Sequence, residues 1–361
     1  QGFNPYQAHG YYTYANLLLP YYSSDATGSE ILAMHNEKLK WQTTRNLNFG
    51  LELGALDHRL TARVEYYRKV TSNMITMVSL APSVGFAQYP ENIGKLENRG
   101  WELTFSAIPY RNVARQSYWT VTLNGSHNAD KLLEISEAMR HINEVNAGNL
   151  KNAPLPRYEE GQSVNRIWVV RSLGIDPMTG NEVFLTRNGE KTFKWNSADK
   201  VPVGDTTPKM NGTISSSVNW RDLSCTLGFI YKWGGIVYNQ TLVDKIENSN
   251  IAYNLDRRAA QDRWRKPGDV TKYKRIDLNG SQTPASDRFI MKDNELRLAS
   301  VNVGYRFKQA DYKLLGRLNI DVLSLNFTTN DLLRLSTVKM ERGLGYPFSR
   351  SYTFTCSIIF K

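Results

Sequence analysis

The sequence has no run of about 18 apolar residues, which excludes a membrane-spanning helix. It holds two cysteines, Cys225 and Cys356, in 361 residues. Two are too few for a disulfide framework, and each falls on the apolar side of a candidate strand, as a small hydrophobe would. Histidine is scarce too. His9, His35, His58, His127 and His141 never take the spacing of a zinc-binding H-E-x-x-H helix. There is no G-x-S-x-G nucleophile elbow. Asp176, Asn181 and Glu182 do not follow the calcium-loop pattern, and Gly343-Leu344-Gly345 leads into Tyr346-Pro347 rather than a helix. No catalytic residues, no metal site and no cofactor are expected, so the chain does not read as an enzyme. Residues 1–5 offer neither the basic nor the apolar segment of a signal peptide. The net charge of +11 is scattered. Its one concentration, Arg257, Arg258, Arg263, Arg265 and Lys266, reads as the solvated face of a short helix, and nucleic acid is not an expected partner.

What is abundant is alternation. Aromatic residues make up 11% of the chain, with 20 tyrosines, while the mean hydropathy is −0.47. Leu47, Phe49, Leu51 and Leu53 alternate with Asn48, Gly50 and Glu52. The same period of two recurs at 60–67, 101–107, 119–124, 213–220, 223–231, 300–307, 318–322 and 351–360. Side chains on a strand alternate between faces, so these are nine strands, each with one apolar and one polar side. The last is the clearest. Tyr352, Phe354, Cys356, Ile358 and Phe360 share one side, and Thr353, Thr355 and Ser357 the other.

The connections between these strands sort by length. Those at 54–58, 109–116, 221–222 and 308–313 are short, and those at 71–97, 129–208, 236–291 and 328–349 are long. Short and long alternate strictly, so all long loops lie at one end of an up-and-down sheet. A soluble sandwich has no reason for that arrangement. An outer-membrane barrel has short periplasmic turns and long extracellular loops. The expected fold is therefore all-β, a transmembrane antiparallel up-and-down β-barrel, its apolar side toward lipid and its polar side toward the lumen. Residues 1–40 read as an extracellular loop region with a short helix near Glu30–Lys38, and 41–361 as barrel. Residues 129–208, with a helix near Lys131–Met139, a strand near Ile167–Leu173 and turns at Asp176–Gly180 and Asn188-Gly189, read as a partly folded extracellular insertion. Nine is an odd number, and single-chain barrels usually have even counts, so a further segment or chain is expected to complete the sheet.

Particular motifs sharpen this. Trp41-Gln42-Thr43-Thr44, Tyr66-Tyr67 with Thr71, Asn92-Ile93-Gly94, and Asn98-Arg99-Gly100-Trp101-Glu102 occur in order. They are followed by Trp119 and Asn124, Gly174-Ile175-Asp176-Pro177 with Thr179-Gly180, and Trp264 with Gly268-Asp269. Leu296-Arg297-Leu298, Asn330 with Leu332, and Tyr346-Pro347 with Arg350 close the series. From about Trp41 onward the chain resembles the SusC/RagA-type TonB-dependent outer-membrane transporters of Bacteroidetes. That resemblance implies the last nine strands of a roughly 22-stranded barrel in the cell outer membrane. It also implies a SusD-like surface lipoprotein as lid, a TonB complex that supplies energy, and oligosaccharides or oligopeptides as substrates. The plug and the TonB-contacting segment find no counterpart in these residues, so the remaining barrel and the plug are expected partners alongside outer-membrane lipid.

For substrate contact, the stretch after the sixth strand places Trp233, Tyr238, Asn239 and Gln240 beside glycines, where aromatic and amide groups suit a sugar ring or a peptide backbone. Phe86, Gln88 and Tyr89 in the first long loop form a second candidate set. An interfacial aromatic belt would account for the same residues. Two other readings stay open at this point. One is a soluble all-β carbohydrate-binding module, and the other an outer-membrane enzyme on a small barrel.

Overall fold

The computed structural model describes residues 39–79, 88–149, 151–250, 256–276, 282–338 and 349–361, a few single positions between them, and the backbone of two strands near the start. The first two strands, β1 (Thr13–Leu18) and β2 (Thr27–Ala33), pair antiparallel with each other. The helix expected from Glu30 is thus a strand for its first residues. Pairing with β1 satisfies the backbone there and overrides the local helical propensity of Glu30 and Ala33.

The barrel wall follows. β3 (Thr43–Ala55) and β4 (Leu60–Ser72) form the first hairpin. A small hairpin, β5 (Ile75–Ser79) and β6 (Gln88–Asn92), stands in the connection to β7 (Gly94–Asn112) and β8 (Ser117–Ile135). The helix α1 (Glu137–Gly148) begins where β8 ends, with Ser136 accepting from the Met139 N–H as N-cap. It starts six residues later than the sequence suggests, nearly two turns, because Lys131–Ile135 still pair with β7. Five short strands come next: β9 (Arg166–Val169), β10 (Arg171–Ile175), β11 (Glu182–Leu185), β12 (Lys191–Thr192) and β13 (Val201–Asp205). The wall resumes with β14 (Met210–Trp220) and β15 (Leu223–Tyr238). After a π-helical turn at Leu242–Glu247 and α2 (Arg258–Gln261) come β16 (Ile290–Lys308), α3 (Lys313–Arg317), β17 (Ile320–Ser336) and β18 (Tyr352–Phe360).

β3, β4, β7, β8, β14, β15, β16, β17 and β18 make one nine-stranded sheet whose members are neighbours in the order in which they follow one another along the chain. Every pairing is antiparallel. This is the up-and-down wall that the alternating pattern predicts, with β3 and β18 at its edges. The register carries the apolar side unbroken across it. Val64 faces Leu51 on one neighbour and Leu103 on the other, Leu123 faces Phe105 and Ile214, Val303 faces Cys225 and Phe327, and Phe327 faces Phe354. Phe49, Leu51, Leu53 and Phe354 are more than half exposed. In water such a surface would be an aggregation hazard, whereas in a bilayer it is the lipid contact.

Aromatics edge this belt at both heights. Tyr66 pairs with Trp101 toward the long-loop end, and Tyr110 stacks on Trp220 at 5.5 Å toward the short-turn end. Trp101 and Tyr110 are nine residues apart on β7, about 30 Å of strand. At a tilt of about 40° that projects to about 23 Å, close to the apolar height of an outer-membrane barrel. The two cysteines are free, and both lie on this side, in register with Val303 and Leu325.

Candidate functional site

The opposite side of the wall is lined with short polar groups that bond along its rungs. Asn124 accepts from the Thr104 hydroxyl at 3.0 Å and donates to Thr213 at 3.0 Å. Ser106 meets Thr122 at 3.4 Å, and Ser217 meets Thr226 at 3.1 Å. Tyr67 donates to Asn128 at 3.0 Å, and its ring lies over Gly100, where any Cβ would strike both Tyr67 and the His127 carbonyl. The glycine in Asn98-Arg99-Gly100-Trp101-Glu102 is thus fixed by this close approach. Gly94 in Asn92-Ile93-Gly94 sits at φ +107° against the Glu134 carbonyl, a conformation that favours glycine. Asn92 itself donates to the carbonyls of Lys40 (2.9 Å) and Asn73 (2.8 Å) and accepts from the Lys40 N–H at 2.7 Å.

Toward the long-loop end the polar side becomes charged. Lys232 donates to Asp293 at 2.6 Å, Arg334 donates to Glu295 at 2.6 Å, and Arg297 pairs with Asp331 at 3.1 Å. Lys232, Glu295 and Arg297 line a recess of about 530 Å³ together with Asn211, Thr213 and Ile230. The sequence carries a signal for this group that period-two reading reaches only in part. Asp293, Glu295 and Arg297 sit at alternate positions, but the pattern of apolar residues there is too weak to mark β16 as starting at Ile290.

Above the wall, the long β8–β14 and β15–β16 connections build one packed module. β9 pairs with β13, β11 with both β10 and β12, and Val170 bridges to Ser286. Ile167, Val169 and Ala285 form its core, with Ile236, Tyr238 and Ile290 against it. Its polar centre is Arg288, which donates to Glu182 at 3.0 Å and to Glu247 at 2.5 Å, while Ser286 donates to Glu182 at 2.6 Å. Burial works against the Arg288 charge, but the two carboxylates more than offset it, and its pKa is displaced upward. Arg263 is only 4% exposed and donates to backbone carbonyls of Ile246, Ala259 and Lys274. The expectation of a solvated basic helix holds in part: Arg257, Arg265 and Lys266 are exposed, but α2 is a single turn and Arg263 folds inward as the carbonyls around it satisfy its donors.

The two most recognisable loop motifs meet in this module. The Trp264 indole donates to the Pro177 carbonyl at 2.8 Å, and the Gly268 N–H donates to the same oxygen at 2.9 Å. Gly180, at φ +69°, lies against the Trp264 ring with no room for a Cβ. Asp176 accepts from the Thr179 N–H and hydroxyl at 3.0 and 2.7 Å, and the hydroxyl holds its pKa below the usual value. Asp269 caps the other loop by accepting from the N–H groups of Arg265 and Lys266.

The seven candidate contact residues fall in different surroundings. Trp233 is 66% exposed and in register with Met210 on the apolar side. Tyr238 donates to the Asn152 carbonyl at 2.9 Å and packs edge-on to Phe289. Asn239 is buried and accepts from the Leu242 N–H, and Gln240 donates to Asp244 at 2.8 Å. Phe86 is half-buried beside the β5–β6 hairpin, Gln88 is exposed on β6, and Tyr89 donates to Glu91 at 3.2 Å. Gly343-Leu344-Gly345 and Tyr346-Pro347 lie outside the described residues.

Residues 1–224 match the family described as TonB dependent receptor-like, beta-barrel. The chain belongs to this family. Among curated relatives, TonB-dependent receptor SusC of Bacteroides thetaiotaomicron is 26% identical over 341 residues, covering 88% of this chain and 32% of the relative. TonB-dependent receptor P39 of Formosa agariphila is 24% identical over 355 residues, covering 86% and 33%. The solved RagAB peptide transporter shares the fold at a TM-score of 0.71 and 21% identity, over 91% of this chain and 35% of that one. The chain thus spans about a third of the length of these relatives. This TonB-dependent receptor barrel is consistent with the SusC/RagA type, and its place is the outer membrane. The Asn-Arg-Gly-Trp-Glu motif and the two docked loop motifs are therefore parts of a barrel wall and its extracellular module.

Proposed function

We propose that this TonB-dependent receptor barrel segment forms part of the conduit of a nutrient importer, energised by TonB, that takes up oligosaccharides or oligopeptides beneath a SusD-like lipoprotein lid. The observation that carries this reading is the division of the wall: one side apolar between two aromatic levels, the other a ladder of Ser, Thr and Asn that ends in a charged recess at the extracellular end. Neutral hydroxyl and amide rungs exchange hydrogen bonds with a passing sugar or peptide without holding it. The recess of Lys232, Glu295 and Arg297 offers both donors and acceptors where substrate enters. Phe86, Gln88 and Tyr89 stand on an extracellular hairpin and suit direct contact. For Tyr238, Asn239 and Gln240 we propose an indirect role, shaping the turn after β15, and for Trp233 an anchor at the membrane boundary. No covalent chemistry is assigned.

Deleting the gene and growing cells on panels of oligosaccharides and oligopeptides tests the reading, together with gentle detergent extraction. A growth defect on one class and co-purification of a surface lipoprotein are expected. Unimpaired growth on every panel member, with no lipoprotein recovered, would sink the proposal.

A further inference from the structure

The lipid-facing side does not end at its aromatic level. Two residues above Tyr66 and Trp101 on their strands come Arg68 and Arg99, which are paired in register. The next rung holds Arg45, Val70, Glu97 and Lys131. Arg68 is taken by Glu97 at 2.5 Å. Arg99 and Lys131 are exposed and have no hydrogen-bonded or ionic partner among the described residues. Here β14 has already stopped pairing with β8, whose last partner is Ser126, while β8 continues to Ile135. There the flank of β8, whose Leu132 exchanges backbone hydrogen bonds with Gly161 and Gln162, borders a recess of about 390 Å³ lined by Arg99, His127, Lys131, Arg166 and Lys209, with Asp130 and Asp205 as its carboxylates.

Both acids are already engaged. Asp130 accepts from Ser163 and the Val164 N–H at 2.8 Å each, and Asp205 accepts from the Thr207 N–H at 2.8 Å. Arg166, which lines the recess, has its Nε buried without a hydrogen-bond partner. An unpaired buried donor costs free energy unless a ligand or water meets it. His127, in register with Trp101 and with its ring centroid 6.1 Å away, sets the recess at the very edge of the belt. Cations at that height face the headgroup layer of the outer leaflet, not the lumen.

We propose that this recess binds the headgroup phosphate of an outer-leaflet lipid, with Arg99 and Lys131 as the principal contacts and Arg166 as the buried donor. The acyl chains of such a lipid run down the belt beside Trp101 and Leu103. This site is independent of what the barrel transports.

The test uses the whole protein extracted in detergent, with lipid retention read by native mass spectrometry. The probes are a phosphorylated glycolipid, its dephosphorylated form and inorganic phosphate. Wild type is expected to retain the phosphorylated lipid selectively and to lose it as salt screens exposed charge. Arg99→Gln with Lys131→Gln should weaken retention by about fivefold per charge removed and leave the dephosphorylated lipid unaffected. Arg99→Lys with Lys131→Arg keeps the charges and should restore retention, which separates charge from folding. Equal retention of both lipids by wild type would overturn the proposal without any variant. So would undiminished retention by a folded double variant, or displacement of the lipid by millimolar inorganic phosphate, which would mark a free-ion site.

Discussion

Trp264 Nε1 donates to the carbonyl oxygen of Pro177 at 2.8 Å, joining positions 87 residues apart. The two loops that carry them belong to different hairpins of the wall, so this bond and the glycine beneath it tie one hairpin to the next above the membrane.

Gly180→Ala should loosen that tie. The residue sits at φ +69° and its new Cβ would meet the Trp264 ring. Left-handed strain and the clash together should cost the module about 2–3 kcal/mol. Hydrogen exchange should speed up at the Gly268 N–H while amides in β7 and β8 keep their protection. Unchanged exchange at Gly268 would count against the docking.

Arg288→Met removes the cation between Glu182 and Glu247. Breaking a buried pair by deleting one partner costs about 3–5 kcal/mol, because two carboxylates are then left together with 5% and 0% side-chain exposure. Limited proteolysis should cut the 239–289 connection in the variant and spare the wall. The triple change of Arg288, Glu182 and Glu247 to apolar residues should recover much of the loss.

Phe105→Arg and Thr104→Arg differ by one position and should differ in outcome. Phe105 lies midway between Trp101 and Tyr110 on the lipid side, where a cation costs about 2–4 kcal/mol. Thr104 faces the lumen, where the cost should be near zero. The yield of folded, membrane-inserted protein measures the contrast, and equal yields would reverse the assignment of the faces.

Asp176 gives a pH dependence with a definite sign. Its carboxylate is held below the usual value of 3.8 chiefly by the Thr179 hydroxyl. A lowered acid contributes stability that is present above its unfolded value and is lost as pH falls through the folded one. The turn at Asp176–Gly180 should therefore open only on the acid side of about pH 4. Thr179→Val should move the opening upward toward the ordinary carboxylate value, as followed by NMR titration.

Much of the wall was legible because a bilayer imposes a strict rule on every second residue. Leu47–Leu53, Trp101–Ala107 and Tyr352–Phe360 obey it, and all nine strands were found. The rule lapses outside the belt. β7 begins at Gly94 rather than Trp101, because Lys95, Glu97, Asn98 and Arg99 leave no apolar side there, and β17 runs to Ser336 past a bulge at Asp331, φ +52°, that breaks the alternation. The β5–β6 hairpin escaped because its strands are five residues each and β6 carries no apolar alternation. Arg263 read as solvated because composition reports charge and not the carbonyls waiting for it. The meeting of Pro177 with Trp264 had no local sign, since each loop is complete in sequence without the other.

The Glu182–Arg288–Glu247 cluster draws one partner from the β8–β14 connection and two from the β15–β16 connection. Neither connection can close it alone. The closed cluster therefore staples the two connections to each other, and neither can lift away from the other without leaving a buried charge uncompensated.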